Sequence, residues 1–262
     1  MGPKIYQVDA FTDRPFAGNP AAVCILSGAR DEAWMQKVAQ EMNLSETAFV
    51  YKEGDGFNVR WFTPAVEVDL CGHATLATAH ILWEIGLLTP QERARFQTRS
   101  GPLFAERKGD EIELDFPATL AEPVDAPPGL SEALGALPKY TGRSPFDYLV
   151  ELDSEQAVRN IRPDYIQLRR IPIRGIIVTS IAEHSRYDFV SRFFAPAAGV
   201  DEDPVTGSAH CCLGPFWSRR LGKSDLVAYQ ASKRGGMVHV RVEGDRVFLG
   251  GQAVTVMRGE LV

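Results

Sequence analysis

Arg60-Trp61-Phe62-Thr63-Pro64-Ala65-Val66-Glu67-Val68-Asp69 returns later in the chain as Arg192-Phe193-Phe194-Ala195-Pro196-Ala197-Ala198-Gly199-Val200-Asp201. Six of the ten positions are identical: Arg, Phe, Pro, Ala, Val and Asp. After a three-residue insertion in the second copy, Cys71-Gly72-His73-Ala74 aligns with Thr206-Gly207-Ser208-Ala209, and upstream Phe57 matches Phe189 at the same offset. The period is too long and the match too sparse for a solenoid. It reads as one strand, one loop and one helix start in each half of the chain. The expectation is two similar domains related by a pseudo-twofold axis, with their Gly-x-Ala helix starts facing each other across a cleft. A helix start offers unpaired N–H groups and the positive end of a macrodipole, and glycine lets a ligand approach the backbone. Two such starts suit a small carboxylate-bearing molecule. The alternative is that the glycines serve turns alone.

The rest of the chain fits a hairpin-rich α+β protein with largely antiparallel sheet. Ile5 to Ala10 reads as a strand. Asp31 to Asn43 reads as a helix, with Trp34, Met35, Val38, Ala39 and Met42 on one face and Asn43 as a left-handed stop. Thr47 to Lys52 and Phe57 to Phe62 form strands joined by Glu53-Gly54-Asp55-Gly56. Gly72 to Ile85 has the length and Ala/Leu content of a helix. Further β-rich runs are Ala105 to Phe116, Gly175 to Ser180, Met237 to Val242, Arg246 to Leu249 and Ala253 to Met257. The proline-rich stretch from Pro117 to Pro128 is the linker candidate. The expected organisation is residues 1–117 as one half, completed by a final strand near 253–262, and residues 118–252 as the other.

The chain has 262 residues, is 45% hydrophobic and carries a net charge of −6. It has no run of five Lys or Arg, so nucleic acid and anionic membrane surfaces are not expected partners. No apolar run approaches the roughly 18 residues that span a bilayer. The N-terminus lacks the apolar core of a signal peptide, and a cytoplasmic protein is expected. Four cysteines, Cys24, Cys71, Cys211 and Cys212, make no disulfide framework in such a chain, and small core residues are their ordinary role.

Four groups of residues could carry chemistry. Cys71, His73 and His80 suggest a metal site, but His73 and His80 stand two helical turns apart, too far for joint chelation, and no metal is expected. Cys71 at a helix start, with His73 close by, could be an activated thiol, but two residues around a turn need not face each other. Glu46 sits between a helix stop and an apolar strand. Burial there would make it a usable proton carrier, although the local sequence by itself favours a capping or solvated carboxylate. Asp201-Glu202-Asp203 precedes the second helix start. Such acids often complement the dipole alone, but Asp203 falls in the insertion, where it would break the symmetry of the two walls and could hold an amine or hydroxyl or carry a proton.

Five motifs in order then mark a resemblance over nearly the whole length. They are Val8-Asp9-Ala10-Phe11-Thr12 with Phe16-x-Gly18-Asn19-Pro20-Ala21-Ala22-Val23, Asn43-Leu44-Ser45-Glu46-Thr47, Arg60-Trp61-Phe62-Thr63-Pro64, Cys71-Gly72-His73-Ala74-Thr75, and Glu202-Asp203-Pro204-Val205-Thr206-Gly207-Ser208-Ala209. The chain resembles the phenazine-biosynthesis PhzF-like family, within the diaminopimelate epimerase fold. The resemblance implies two pseudo-symmetric domains, each a mostly antiparallel sheet wrapped around a central helix, and a cofactor-free active site between them. It implies an isomerase that moves a proton between carbons of a small anionic substrate such as trans-2,3-dihydro-3-hydroxyanthranilate. Glu46 then becomes the acid–base residue. His73 and Asp203 position the substrate and polarise or protonate its hydroxyl or amine, while Gly72, Gly207 and Ser208 form the carboxylate-binding helix starts. A homodimer is implied as well.

Related epimerases and racemases use two cysteines on opposite faces of the substrate carbon. Here Cys71 holds the first position, but Thr206 holds the second, and threonine carries no proton at neutral pH. Two rivals remain: an amino-acid epimerase or racemase using Cys71, and a non-catalytic small-molecule binding protein.

Overall fold

A computed structural model describes residues 2–183 and 186–262. The chain divides into two compact units. One runs to Phe116 and takes back Gly250–Val262; the other is Pro117–Leu249.

In the first unit, β1 (Lys4–Ala10) pairs antiparallel with β2 (Asn19–Ile25) on one side and with the C-terminal strand Ala253–Glu260 on the other. Helix α1 (Glu32–Met42) crosses over to β3 (Glu46–Glu53), which lies parallel to β2. The Asp31 carboxylate accepts the Trp34 N–H at 3.0 Å and caps α1. Asn43 ends the helix in the left-handed conformation, φ 49° and ψ 39°, as its sequence position predicts. Its buried Met35 and Ala39 pack with Cys24, Phe49 and Phe62 of the sheet. β3 turns at Gly54 into β4 (Gly56–Phe62), followed by β5 (Glu67–Val68) and helix α2 (Gly72–Glu84). The unit continues with β6 (Ala94–Thr98), parallel to β4, then the meander β7 (Gly101–Lys108) and β8 (Glu111–Pro117). Helix α2 is buried on nearly every side, from His73 through Ala79 and from Ile81 to Trp83. It packs on β1, β2, β3, β7 and the C-terminal strand. Its apolar character all round, rather than along one stripe, fits a central helix.

The second unit begins with a stretch whose regular structure before Pro127 is the two-residue β9 (Glu122–Pro123). Then come α3 (Leu130–Leu134), β10 (Tyr140–Arg143), β11 (Asp147–Glu151), α4 (Glu155–Asn160), α5 (Tyr165–Leu168), β12 (Gly175–Ile181), β13 (Phe189–Ala195), β14 (Val200–Asp203), α6 (Gly207–Leu221), β15 (Asp225–Gln230), β16 (Gly236–Glu243) and β17 (Arg246–Gly251). Its core joins Leu130, Leu134, Val158 and Ile161 to Ile176, Val178, Val190 and Phe194. The short helices α3 to α5 are absent from the sequence reading, because four to six residues show no period.

Strand for strand, the second unit repeats the pairing of the first. β2–β3 and β11–β12 are parallel, and β3–β4 and β12–β13 antiparallel. β4–β5 and β13–β14 are antiparallel, β4–β6 and β13–β15 parallel. The repeat's phenylalanines hold matching places: Phe57 opposes Phe96, and Phe189 opposes Ala228. Its arginines do too, since Arg60 grips Glu67 with two hydrogen bonds and Arg192 grips Glu202 with two. The fold is therefore α+β, in two units with the same strand pairing, as the repeat predicts.

Helix α6 contains Pro215, which cannot donate to the Cys211 carbonyl one turn back. Thr119 N–H, from the proline-rich stretch, takes that carbonyl at 3.0 Å. The kink-prone position is thus satisfied by backbone from outside the helix.

Among the described residues, no helix is long and apolar enough to cross a membrane.

Candidate active site

Glu46 opens β3, and the β2–β3 register sets Ala21 opposite it. His73 is the second residue of α2, whose N-cap, Cys71, has extended backbone at φ −146° and makes no side-chain capping bond. Strand start and helix start meet. His73 Nε2 lies 3.2 Å from Glu46 Oε2. On the other edge of the ring, Asn19 Nδ2 lies 3.2 Å from His73 Nδ1 and Cys71 Sγ lies 3.6 Å from it. The structure so brings Glu46, Cys71, Gly72 and His73 into one constellation in the first unit.

The His73 ring is buried, and burial pushes its pKa down to about 3. It is neutral at pH 7 and carries one ring proton. With the Asn19 amide donating to Nδ1, that proton sits on Nε2, the nitrogen on the Glu46 side of the ring, where the 3.2 Å approach does not close a hydrogen bond. Glu46 keeps about a fifth of its side chain exposed (19%), so one side of the carboxylate stays reachable.

Glu46, Cys71 and His73 also offer ligand atoms within 4.8 Å of one another, a donor set of the kind that holds zinc. Linear spacing pairs His73 with His80 and could not reveal this trio. Glu46 comes nearest to Nε2 and Cys71 nearest to Nδ1, and one nitrogen of the ring lies within 4.8 Å of both other donor atoms. His80 stands apart, with Nε2 at 3.0 Å from Thr255 Oγ1 and 3.3 Å from Glu84 Oε2.

Asp203, Gly207 and Ser208 all lie in the second unit, at the end of β14 and the start of α6. Asp203 ends β14. Its carboxylate accepts the Thr206 hydroxyl, and its carbonyl accepts Gln230 Nε2 at 2.7 Å. Gln230 Oε1 in turn accepts the Thr206 N–H at 2.9 Å. Thr206 is the N-cap of α6, again extended, at φ −115°, and again without a side-chain capping bond, because its hydroxyl serves Asp203. Ser208 Oγ accepts Arg174 Nη2 at 3.1 Å. One turn on, His210 Nδ1 donates to the Thr206 carbonyl at 2.8 Å, and burial pushes its pKa down to about 4.

Neither helix start spends its N-cap side chain on its own first turn, the condition for a ligand to take those N–H groups. Cys211, the thiol nearest the second start in sequence, is buried, and burial pushes it up to about 12. It is no proton carrier at neutral pH.

The sequence reading passed over Asn19, Gln230 and Arg174. Asn19 stood inside a quoted motif, Phe16-x-Gly18-Asn19-Pro20, without a role. Gln230 reaches the site from β15 and Arg174 from the bend just before β12, both remote in sequence, and nothing local to them signals it.

A family model for phenazine biosynthesis-like proteins, PhzC-PhzF, matches residues 8–259. An uncharacterized isomerase of Halalkalibacterium halodurans is 56% identical over 263 residues, covering 100% of this chain and 99% of that one. The crystal structure of a PhzF-family phenazine biosynthesis protein from Enterococcus faecalis superposes with a TM-score of 0.95 at 43% identity, each chain covered in full. A probable proline racemase from Agrobacterium radiobacter shares the fold at 10% identity, with a TM-score of 0.67 over 99% of this chain and 93% of that one.

Proposed function

The chain belongs to the phenazine biosynthesis-like (PhzF) family of isomerases, and within it we propose that it is a cofactor-independent isomerase shifting a proton between carbons of a small carboxylate-bearing substrate, with Glu46 as the shuttle. The observation that carries this is the 3.2 Å approach of His73 Nε2 to Glu46 Oε2, made by an imidazole that is neutral at pH 7. Glu46 as carboxylate takes a proton from one substrate carbon. The C–H electron pair moves into a new double bond, the existing double bond shifts, and the proton returns from the Glu46 carboxyl to the carbon that gains electron density. One carboxyl serves both steps, so the proton stays on one face. The His73 Nε2 edge faces the buried Oε2 of the carboxylate and leaves the other oxygen for the substrate, and Asn19 fixes the tautomer of the ring.

In this reading Gly72 and Gly207 give the substrate's carboxylate access to backbone N–H groups, and Ser208 adds a hydroxyl. Asp203, oriented by Thr206 and Gln230, takes the substrate's amine or hydroxyl. The compound that fits is a dihydro-hydroxyanthranilate, following the family. The two-thiol racemase reading is disfavoured by Thr206 in the second position and by the buried, high-pKa Cys211. A binding protein has no need of a neutral histidine trained on a carboxylate.

The test is turnover of trans-2,3-dihydro-3-hydroxyanthranilate in D2O, followed by absorbance and NMR. Wild type is expected to isomerise it, with deuterium confined to the single ring carbon that Glu46 reprotonates and entering only as far as the carboxyl proton exchanges with solvent, and Glu46→Gln to be inactive with an unchanged melting temperature. An inert wild type overturns the choice of substrate. Turnover that survives in Glu46→Gln overturns the shuttle.

A further inference from the structure

The strand registers identify what stands in the second unit where Glu46 stands in the first. Thr47 opposes Phe62, and Ile176 opposes Phe194. Phe62 and Phe194 are the same position of the sequence repeat, so Glu46 corresponds to Gly175, one residue earlier on its strand. The β2–β3 and β11–β12 registers agree, setting Ala21 opposite Glu46 and Asp147 opposite Gly175. On the helix side His73 corresponds to Ser208. The first unit therefore has a carboxylate meeting an imidazole. The second has a glycine, with Arg174 just before it reaching the serine.

The glycine is required by packing. A Cβ at Gly175 would lie 2.3 Å from Phe193 Cζ and 3.1 Å from Asp147 Oδ1. With no side chain there, Phe193 and Asp147 close in and form a seat for the Arg174 guanidinium. Arg174 Nε donates to Asp147 Oδ1 at 2.9 Å, and Nη2 donates to Asp147 Oδ2. Phe146 and Phe193 lie 5.4 and 5.7 Å from its Cζ. Asp147 itself is buried, its backbone N–H bonded to Ser144 Oγ at 2.9 Å. From this seat Nη2 also donates to Ser208 Oγ at 3.1 Å.

We infer that Arg174, held by Asp147, is a positioning residue that turns Ser208 into a fixed hydrogen-bond donor for the substrate's carboxylate. A serine hydroxyl has one proton to give and lone pairs to receive. Arg174 occupies a lone pair, so the hydroxyl proton is directed away from the guanidinium. The nearby fixed charge also strengthens the hydroxyl as a donor to an anion. Arginine suits the task because its planar fork grips Asp147 with one edge pair and still reaches Ser208. This rests on the reading above in which Ser208 contacts the carboxylate.

The experiment uses anthranilate as a stable carboxylate probe and aniline as its carboxylate-free counterpart, with affinities from calorimetry on the full chain. Wild type is expected to prefer anthranilate, and Ser208→Ala to weaken it roughly tenfold. Arg174→Lys, which keeps a cation against Asp147, is expected to weaken it roughly threefold to tenfold, with aniline unaffected. In the Ser208→Ala background Arg174→Lys is expected to add nothing, because its effect passes through the hydroxyl. Where Arg174→Lys unfolds, the pair Asp147→Asn with Arg174→Gln removes the charge couple together and is read in the same way. Losses that add, aniline binding that falls in parallel, or unchanged anthranilate affinity in the Arg174 variants overturn the inference. No carboxylate preference in wild type, or an indifferent Ser208→Ala, overturns the Ser208 reading itself.

Discussion

The two helix starts are one local design with different chemistry attached. Each has an extended N-cap and a glycine at the first helical position, and each unit carries a parallel strand pair joined in the same order. At the first, Cys71, His73 and Glu46 are groups that can exchange a proton. At the second, Thr206, Ser208 and Arg174 are not. An arginine keeps its charge at any working pH, and a serine hydroxyl keeps its proton. The difference teaches that the two units share one helix-start frame, and that, in the proposed function, substitution at matching positions separates proton transfer from charge holding. Asp203, carried in the insertion, has no counterpart at the first start.

That division predicts different kinetic signatures. His73→Leu is expected to lower kcat by about a hundredfold or more, because the group orienting the shuttle is lost. Ser208→Ala is expected to raise KM by roughly tenfold with kcat nearly unchanged, because a contact made equally in ground and transition states disappears. Steady-state kinetics on a turned-over substrate decides it. If both variants move the same parameter, the two starts do not divide the work.

Histidine titration gives the next largest effect and touches both starts. His73 and His210 are held neutral, with folded pKa values of about 3 and 4 against an ordinary value of 6.5. The unfolded chain therefore binds more protons than the native one below pH 6.5. Stability is full above that pH and falls as pH drops from 6.5 towards 4 and 3. Each ring contributes about 2 kcal/mol of loss at pH 5 relative to pH 7. His80, lowered chiefly by burial, adds in the same direction. Urea midpoints at pH 7 and pH 5 measure the slope, and His210→Gln is expected to reduce it visibly. An unaltered slope would mean that His210 is not held neutral.

The scaffold was far more legible than the chemistry that differs between the halves. The repeat, Asn43 as a helix stop and Glu53-Gly54-Asp55-Gly56 as a hairpin turn are all local patterns, and local patterns survive in sequence. Glu46 was visible as a residue but ambiguous as a role, since a loop carboxylate and a shuttle look alike in sequence, and the imidazole beside it comes from a helix 27 residues further on. Asn19, at the start of β2, and Arg174, in the bend before β12, act on residues far away in sequence. Gly175 looked like an ordinary strand start, because what it excludes is the ring of Phe193, eighteen residues on. That glycine gives a sharper test of the comparison. Gly175→Ala is expected to cost about 1–3 kcal/mol through overpacking against Phe193 and Asp147. In the first unit Glu46 fills the matching place. A melting temperature unchanged in Gly175→Ala would show that the second unit could have kept a side chain there.

The smallest expected effect concerns Cys71, where the two starts differ in a way that invites over-reading. Its Sγ lies 3.6 Å from His73 Nδ1, the nitrogen that Asn19 also approaches, and not from Nε2, the nitrogen that serves Glu46. A thiol on that side of the ring can tune the orientation of His73 but does not sit in the Glu46 contact. Cys71→Ser is therefore expected to change kcat and KM by less than about threefold, the scale of a small packing adjustment. Glu46, Cys71 and His73 set three donor atoms within 4.8 Å of one another, but the proposed proton shift uses no metal, so dialysis against a chelator is expected to leave kcat as it was. A hundredfold loss in Cys71→Ser, with solvent deuterium appearing at Cα of an amino acid only when the thiol is present, would restore the racemase mechanism. It would also make Thr206, rather than Glu46, the position whose divergence needs explaining.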